Sequence, residues 1–256
     1  MRESNPMRES IGRIATLTKR NIKVILRDPL SLALTIALPL VMEILFYLIF
    51  HNITAQFEMK YLAPGIVVFA QAFLTLFTGL LISMDRKTSF LTRLYVSRAR
   101  SFEFIFGYAL AVLPIALGQS VLFFVVGGLF DTSLFSIRLL WAILLSLVTS
   151  LFFIAAGILF GSICNEKSIG GVSSIVICGQ SVLSGMWFPV EGLSSGMITV
   201  MKVLPFKNAT MLVQNMIIGV NDRFNDFTLP LLIVLGYTLV MFVVAIIAFR
   251  AKMKAD

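Results

Sequence analysis

Groups able to do chemistry are scarce in this 256-residue chain: His51 is the single histidine, and the two cysteines, Cys164 and Cys178, lack the paired spacing of a zinc site or disulfide framework. His51 being alone leaves no histidine-based metal cluster, and no Ser/His or Cys/His pair inside the membrane for nucleophilic catalysis. No Gly-Lys dipeptide occurs, so a nucleotide-binding Walker A loop is also missing. What remains is a small set of polar side chains inside long apolar runs: Glu43, Gln71, Gln119 and Gln180. A carboxylate in hydrocarbon costs several kcal/mol unless paired, hydrated or protonated, so an acid at that depth points to function. Glu43 and the three glutamines are therefore candidates for a substrate pathway or a dimer interface. The competing readings are an outer headgroup position for Glu43 and helix-to-helix hydrogen bonds for the glutamines.

The elements that hold these groups are membrane helices. A hydrophobic content of 58% and a mean hydropathy of +0.95 exclude an ordinary soluble protein. Residues 1–30 carry Arg2, Arg8, Arg13, Lys19, Arg20, Lys23 and Arg27 among Ile11, Ile14, Leu17, Ile22 and Ile25 at helical spacing, which predicts a basic amphipathic helix on the membrane surface. Six spans are expected, at residues 31–50, 62–84, 104–129, 139–161, 169–188 and 229–249. Asp28-Pro29 is the start signal of the first.

Between the fifth and sixth spans lie two apolar pieces, residues 193–203 and 206–218, on either side of Pro205. At about 1.5 Å per residue neither reaches the roughly 30 Å of a bilayer core. Lys202, Lys207 and Asn208 forbid fusing them into one buried helix, and Pro205 would remove a hydrogen bond from its middle. The expectation is a pair of short re-entrant or interfacial helices in an outer region spanning 189–227.

Charge orients the chain. Of its 21 Lys and Arg, 16 fall at the two termini, in the 85–103 loop and in the turn at Lys167, against five elsewhere: Lys60, Arg138, Lys202, Lys207 and Arg223. The positive-inside rule then places both termini in the cytoplasm, and it explains the net charge of +8 without nucleic acid. The cytoplasmic 85–103 loop predicts a short amphipathic helix with Phe90, Leu91, Leu94 and Tyr95 on one face and Arg86, Arg93 and Arg100 around it. Such an apolar knob with a basic rim suits a docking element for a cytoplasmic partner. On the outer side, Tyr47, Trp187 and Phe188 suit an aromatic belt.

A basic surface helix, six spans, an Asp-Arg loop leading into a Leu-rich segment, and Ser184-Gly185-Met186-Trp187-Phe188-Pro189 followed by Val203-Leu204-Pro205-Phe206 together resemble the ABC-2 type transporter permeases over essentially the whole chain. The resemblance implies an all-α polytopic fold of the type V ABC exporter kind, a single domain over 1–256. It implies a second permease copy, as homodimer or heterodimer, and two separate ABC ATPase subunits. ATP and Mg would be bound in those subunits, with no cofactor in this chain and no enzymatic activity of its own. The 85–103 loop becomes the coupling element, and Trp187, Phe188, Pro189 and Pro205 an outer lid over the export path. The implied cargo is hydrophobic or amphipathic, such as a drug, lipid or lipid-linked glycan, moved across a bacterial cell membrane.

Two rivals come from other classes. An intramembrane enzyme acting on lipid headgroups needs clustered His, Asp or Glu, and only Glu43 and His51 come close. An ATP-independent secondary transporter or channel often shows paired broken helices in two inverted halves, whereas a single break is visible, at Pro205.

Overall fold

The computed structural model describes residues 6–87, 100–188, 190–220 and 222–255, and among them every regular element is helical. Phe90, Leu91, Arg93, Leu94, Tyr95 and Pro189 lie outside the described residues.

Helix α1 (Pro6–Ile25) is amphipathic, with Asn21 and Ile25 buried and Ile11, Ala15, Lys19 and Lys23 exposed. It ends in a turn at Leu26 and Arg27, after which Asp28 accepts the backbone N–H of Ser31 at 3.1 Å and caps α2 (Pro29–Phe50). Hydrogen bonds from Ser31 hold the Asp28 carboxyl below its ordinary pKa. This cap with Pro29 in the first turn is a local stop-and-start signal that needs no tertiary help.

Helices α3 (Met59–Lys87), α4 (Ser101–Phe130) and α5 (Ile137–Ile163) form the centre of the bundle. With 29 residues, α3 is about 43 Å long, so an end of it extends past a 30 Å bilayer core. Its apolar window is 83% buried, against 17% for α2 and for the last helix, α9 (Leu229–Ala255). The polar side chains of α3 therefore face protein, whereas most of the surface of α2 and α9 is left uncovered by the rest of the subunit.

Close approach of α3 and α5 rests on small residues. A Cβ at Gly157 would lie 2.6 Å from the Thr75 carbonyl oxygen, and one at Gly161 would lie 2.8 Å from that of Gly79. Gly157-x-x-x-Gly161 is the small-residue spacing by which membrane helices pack backbone to backbone.

Among the described residues five helices are long and apolar enough to cross a membrane: α2, α3, α4, α5 and α9. At the expected fifth span, residues 169–188, the helix is α6 (Glu166–Leu183), which stops short of residue 188 because Gly185 takes φ +72° and turns the chain out of the helix. Its 18 residues include Glu166, Lys167 and several Gly and Ser, so it is more polar than the other five. Two short helices follow, α7 (Ser195–Val203) and α8 (Pro205–Ile218), meeting at the Pro205 break. Leu204 is extended there, and Pro205 opens α8 in its first turn, where its missing N–H costs nothing. A π-helical turn (Phe224–Thr228) leads into α9.

Candidate functional site

The segment 88–99 sits between the end of α3 and the start of α4, and both of its roots are tied to α1. At the first root Arg20 forms a two-pronged ion pair with Asp85, which also accepts the Tyr108 hydroxyl at 2.7 Å. At the second, Arg13 reaches Glu103 with two nitrogens, each at 2.9 Å. Glu103 further accepts Ser10 and the backbone N–H of Arg100, the latter at 3.0 Å. Asp85 and Glu103 are both buried, so each carboxylate depends on its arginine for compensation.

The local reasons are legible. Arg13 and Arg20 are seven residues apart, two helical turns, and so share one face of α1. Asn21 on the same side reaches the Gly107 carbonyl, at 3.4 Å. Gly107 has no side chain to hold α1 away: a Cβ there would stand 2.8 Å from that of Leu17. The Glu103 hydrogen bond pushes the Arg13 pKa above its ordinary value. Burial works against the Arg20 guanidinium, and the hydrogen bond and charge of Asp85 together outweigh it, so Arg20 too is raised. Both arginines stay charged at any physiological pH.

Arg86, expected on the rim of the loop, turns to α5 instead and donates to the carbonyls of Gly161, Ser162 and Cys164 at 3.1, 2.8 and 3.0 Å. It caps the carbonyl end of that helix, where a cation also meets the favourable end of the dipole. The roots of 88–99 are thereby joined to α1, α4 and α5 at once.

The signature stretch after α6 is held from several sides. Gln56 donates to the carbonyls of Gly185 and Phe188, the latter at 2.9 Å. Met186 is buried against Gly65, and the Trp187 indole donates to Ser181 at 3.0 Å. The Trp187 ring lies tilted against Phe46, with centroids 4.5 Å apart, and meets Phe69 edge-on at 5.9 Å. Trp187 is thus packed against α2 and α3, in a cluster that also includes Phe50 and Phe57.

A family model described as ABC-2 type transporter matches residues 12–218. The chain belongs to that family. Among curated proteins no relative matches it. The match runs from within α1 to the last residue of α8, so it takes in the α1 clamp, the 88–99 segment and the broken helix pair. ABC-2 permeases generally work with ATPase subunits and pair as dimers.

Inside this ABC-2 subunit the three glutamines are buried, and each binds another helix of the same chain. Gln71 donates to the Ser146 carbonyl and accepts from Thr149, both at 2.7 Å, and Ser146 continues to Ser120 at 2.8 Å. Gln119 donates to the Thr35 carbonyl at 3.2 Å, and Gln180 to the Thr210 hydroxyl at 2.9 Å. These contacts tie α3 to α5, α4 to α2 and α6 to α8.

Glu43 is fully buried within the subunit, and neither carboxyl oxygen has a hydrogen-bond partner. A Cβ at Gly127 would lie 3.2 Å from one of them and equally near Leu134. Replacing an unsatisfied buried polar group by an apolar one of similar shape removes a penalty of about 1–3 kcal/mol. Glu43→Leu is therefore expected to raise the unfolding temperature in detergent; a clear drop would mean that the carboxyl is compensated. Transport lost by that stable variant would assign the acid to the pathway.

Sequence reasoning passed over Arg13, Arg20, Asp85, Glu103 and Gln56. The seven-residue spacing of the arginines and the two acids flanking one loop were the available signal.

Proposed function

We propose that this chain is the membrane subunit of an ATP-driven exporter that moves a hydrophobic or amphipathic compound, a drug, lipid or lipid-linked glycan, out of the cytoplasm or inner leaflet. ATP and Mg would be bound by two separate ABC ATPase subunits docked on the cytoplasmic face. The observation that carries this reading is the double clamp of α1 on both roots of 88–99. A push on that segment reaches α1, α3, α4 and α5 as one body, because buried ion pairs and a capped helix end leave little slack.

In this reading α6 is a sixth span. At about 27 Å it nearly matches a bilayer core, and both termini and the 88–99 segment share the positively charged cytoplasmic side. Among its exposed residues, Ser168, Gly171, Ile175, Cys178 and Val182 form a stripe at alternating spacings of three and four, the pattern of a helix packed at a shallow angle on another. A stripe with Ser and Gly at membrane depth suits a second permease copy and a path between the two. The α7–α8 pair, with Trp187 and Phe188 beneath it, would close that path on the outer side.

The test uses the full chain coexpressed with an ABC ATPase subunit in vesicles. Leu94→Asp is expected to lower stimulated ATP hydrolysis and substrate export at least tenfold, and a bismaleimide is expected to join two copies through Cys178 in a Cys164→Ser background. Export that continued at full rate in Leu94→Asp, or in vesicles without ATP, would sink the reading.

A further inference from the structure

The side of α1 turned away from its ion pairs forms, with α4, an open apolar groove of about 790 Å³. Its walls are Ile11, Ala15 and Ile22 of α1 and Leu110 of α4, with Lys19 and Lys23 at its edge. From Leu110 a second groove of about 410 Å³ runs on between α4 and α5 past Pro114, Leu117, Leu147 and Leu151. The two share Leu110 and make one apolar track leading from a pair of cations along the membrane-spanning helices.

Three features say what fits there. Lys19 and Lys23 are one helical turn apart, exposed on one face, and neither has a carboxylate partner among the described residues. Among the described residues no acid lines the groove, and its two charged side chains are both cations. The groove that continues from Leu110 is lined wholly by Leu, Val and Pro. Two cations above an apolar track match a molecule with an anionic head and long hydrocarbon chains.

We propose that this groove is a binding site for one anionic phospholipid of the inner leaflet, its phosphate on Lys19 and Lys23 and an acyl chain along Leu110 towards Leu117. Basic pockets beside spanning helices on the cytoplasmic side are where anionic headgroups bind, and a cationic pair at that surface attracts them. The lipid would bridge α1 and α4 on the face opposite the ion pairs and so hold the clamp from both sides. The site rests on the reading of α1 as a cytoplasmic surface helix, not on the identity of the cargo.

Native mass spectrometry of the full chain, titrated with dioleoyl phosphatidylglycerol or dioleoyl phosphatidylcholine, tests it. One phosphatidylglycerol per chain is expected to be retained, with at least a tenfold preference over phosphatidylcholine. Lys19→Gln/Lys23→Gln should abolish the preference, and Ala15→Phe, which fills the groove, should lose both lipids at an unchanged unfolding temperature. Equal retention of the two lipids by the unsubstituted chain, or a preference that survives the double lysine substitution, would overturn the proposal. So would a groove that retains neither lipid while Lys19→Gln/Lys23→Gln releases a coexpressed ATPase subunit, since its occupant would then be protein. A chain that shows the lipid preference yet never stimulates an ABC ATPase supports the lipid site and refutes the exporter reading.

Discussion

Asp85→Ala is expected to release α1 from the bundle and to cost about 3–5 kcal/mol, the range for breaking a buried ion pair by removing one partner. The loss exceeds that of a surface pair because Asp85 is only 5% exposed and serves both Arg20 and the buried Tyr108 hydroxyl. Without it the Arg20 guanidinium loses its carboxylate and the buried Tyr108 hydroxyl its acceptor, and Arg13 with Glu103 is the ion pair that still joins α1 to α4. Arg20→Ala/Asp85→Ala should be less damaging than Asp85→Ala alone, since the uncompensated cation is gone. Hydrogen exchange over residues 6–25, unfolding temperature, and coupling to an ATPase subunit would each report the change. Native-like protection of α1 in Asp85→Ala would show that the ion pair does not hold it.

The second large effect belongs to the α3–α5 contact. Gly157→Leu places a branched side chain where even a Cβ would stand 2.6 Å from a backbone oxygen and 2.8 Å from the Thr78 Cβ, and backbone cannot swing aside. Overpacking of this kind costs on the order of 3 kcal/mol, and here it would separate the two helices that carry Gln71, Thr149 and Ser146. Gly170→Ala on α6 is the control, since a Cβ there meets nothing within 4 Å. That substitution should be neutral or stabilising, as alanine is the better helix former by about 1 kcal/mol. The comparison needs folded yield and unfolding temperature of the two variants side by side. Equal behaviour would mean that α3 and α5 are not in backbone contact.

How far the site was readable depends on the residue. Arg86 was recognised as important from its place before a Leu-rich loop, yet it was aimed at a partner protein. Its three carbonyl acceptors lie at the end of α5, some 75 residues on, and no periodicity near Arg86 announces them. Gln71, Gln119 and Gln180 were flagged for depth, and the hydrogen bonds that define them are made to helices that sequence distance hides. Gly157-x-x-x-Gly161 was in plain view as a spacing, but which helix it would meet was not. Trp187 and Phe188 are read from the sequence as part of an outer aromatic belt, whereas the packing of Trp187 on Phe46 follows from how α2 leans on α3.

The amino-acid sequence by itself determined where two helices start: Asp28-Pro29 and Pro205 act through their own backbones and the hydrogen bonds of a few neighbours, whereas the stop at Gly185 falls inside an apolar run expected to continue to residue 188. It also determined the membrane character, because burial in lipid is set by summed hydropathy, and the amphipathic nature of α1, because its two faces differ. Only the tertiary structure decided the rotation of the spanning helices about their axes. Helices such as α4 and α9 are apolar all round, so water gives them no preferred face and only side-chain fit and hydrogen bonding orient them. That is why the ion pairs of Arg13 and Arg20, the burial of Glu43 and the groove beside Lys19 and Lys23 emerge only when the helices are packed.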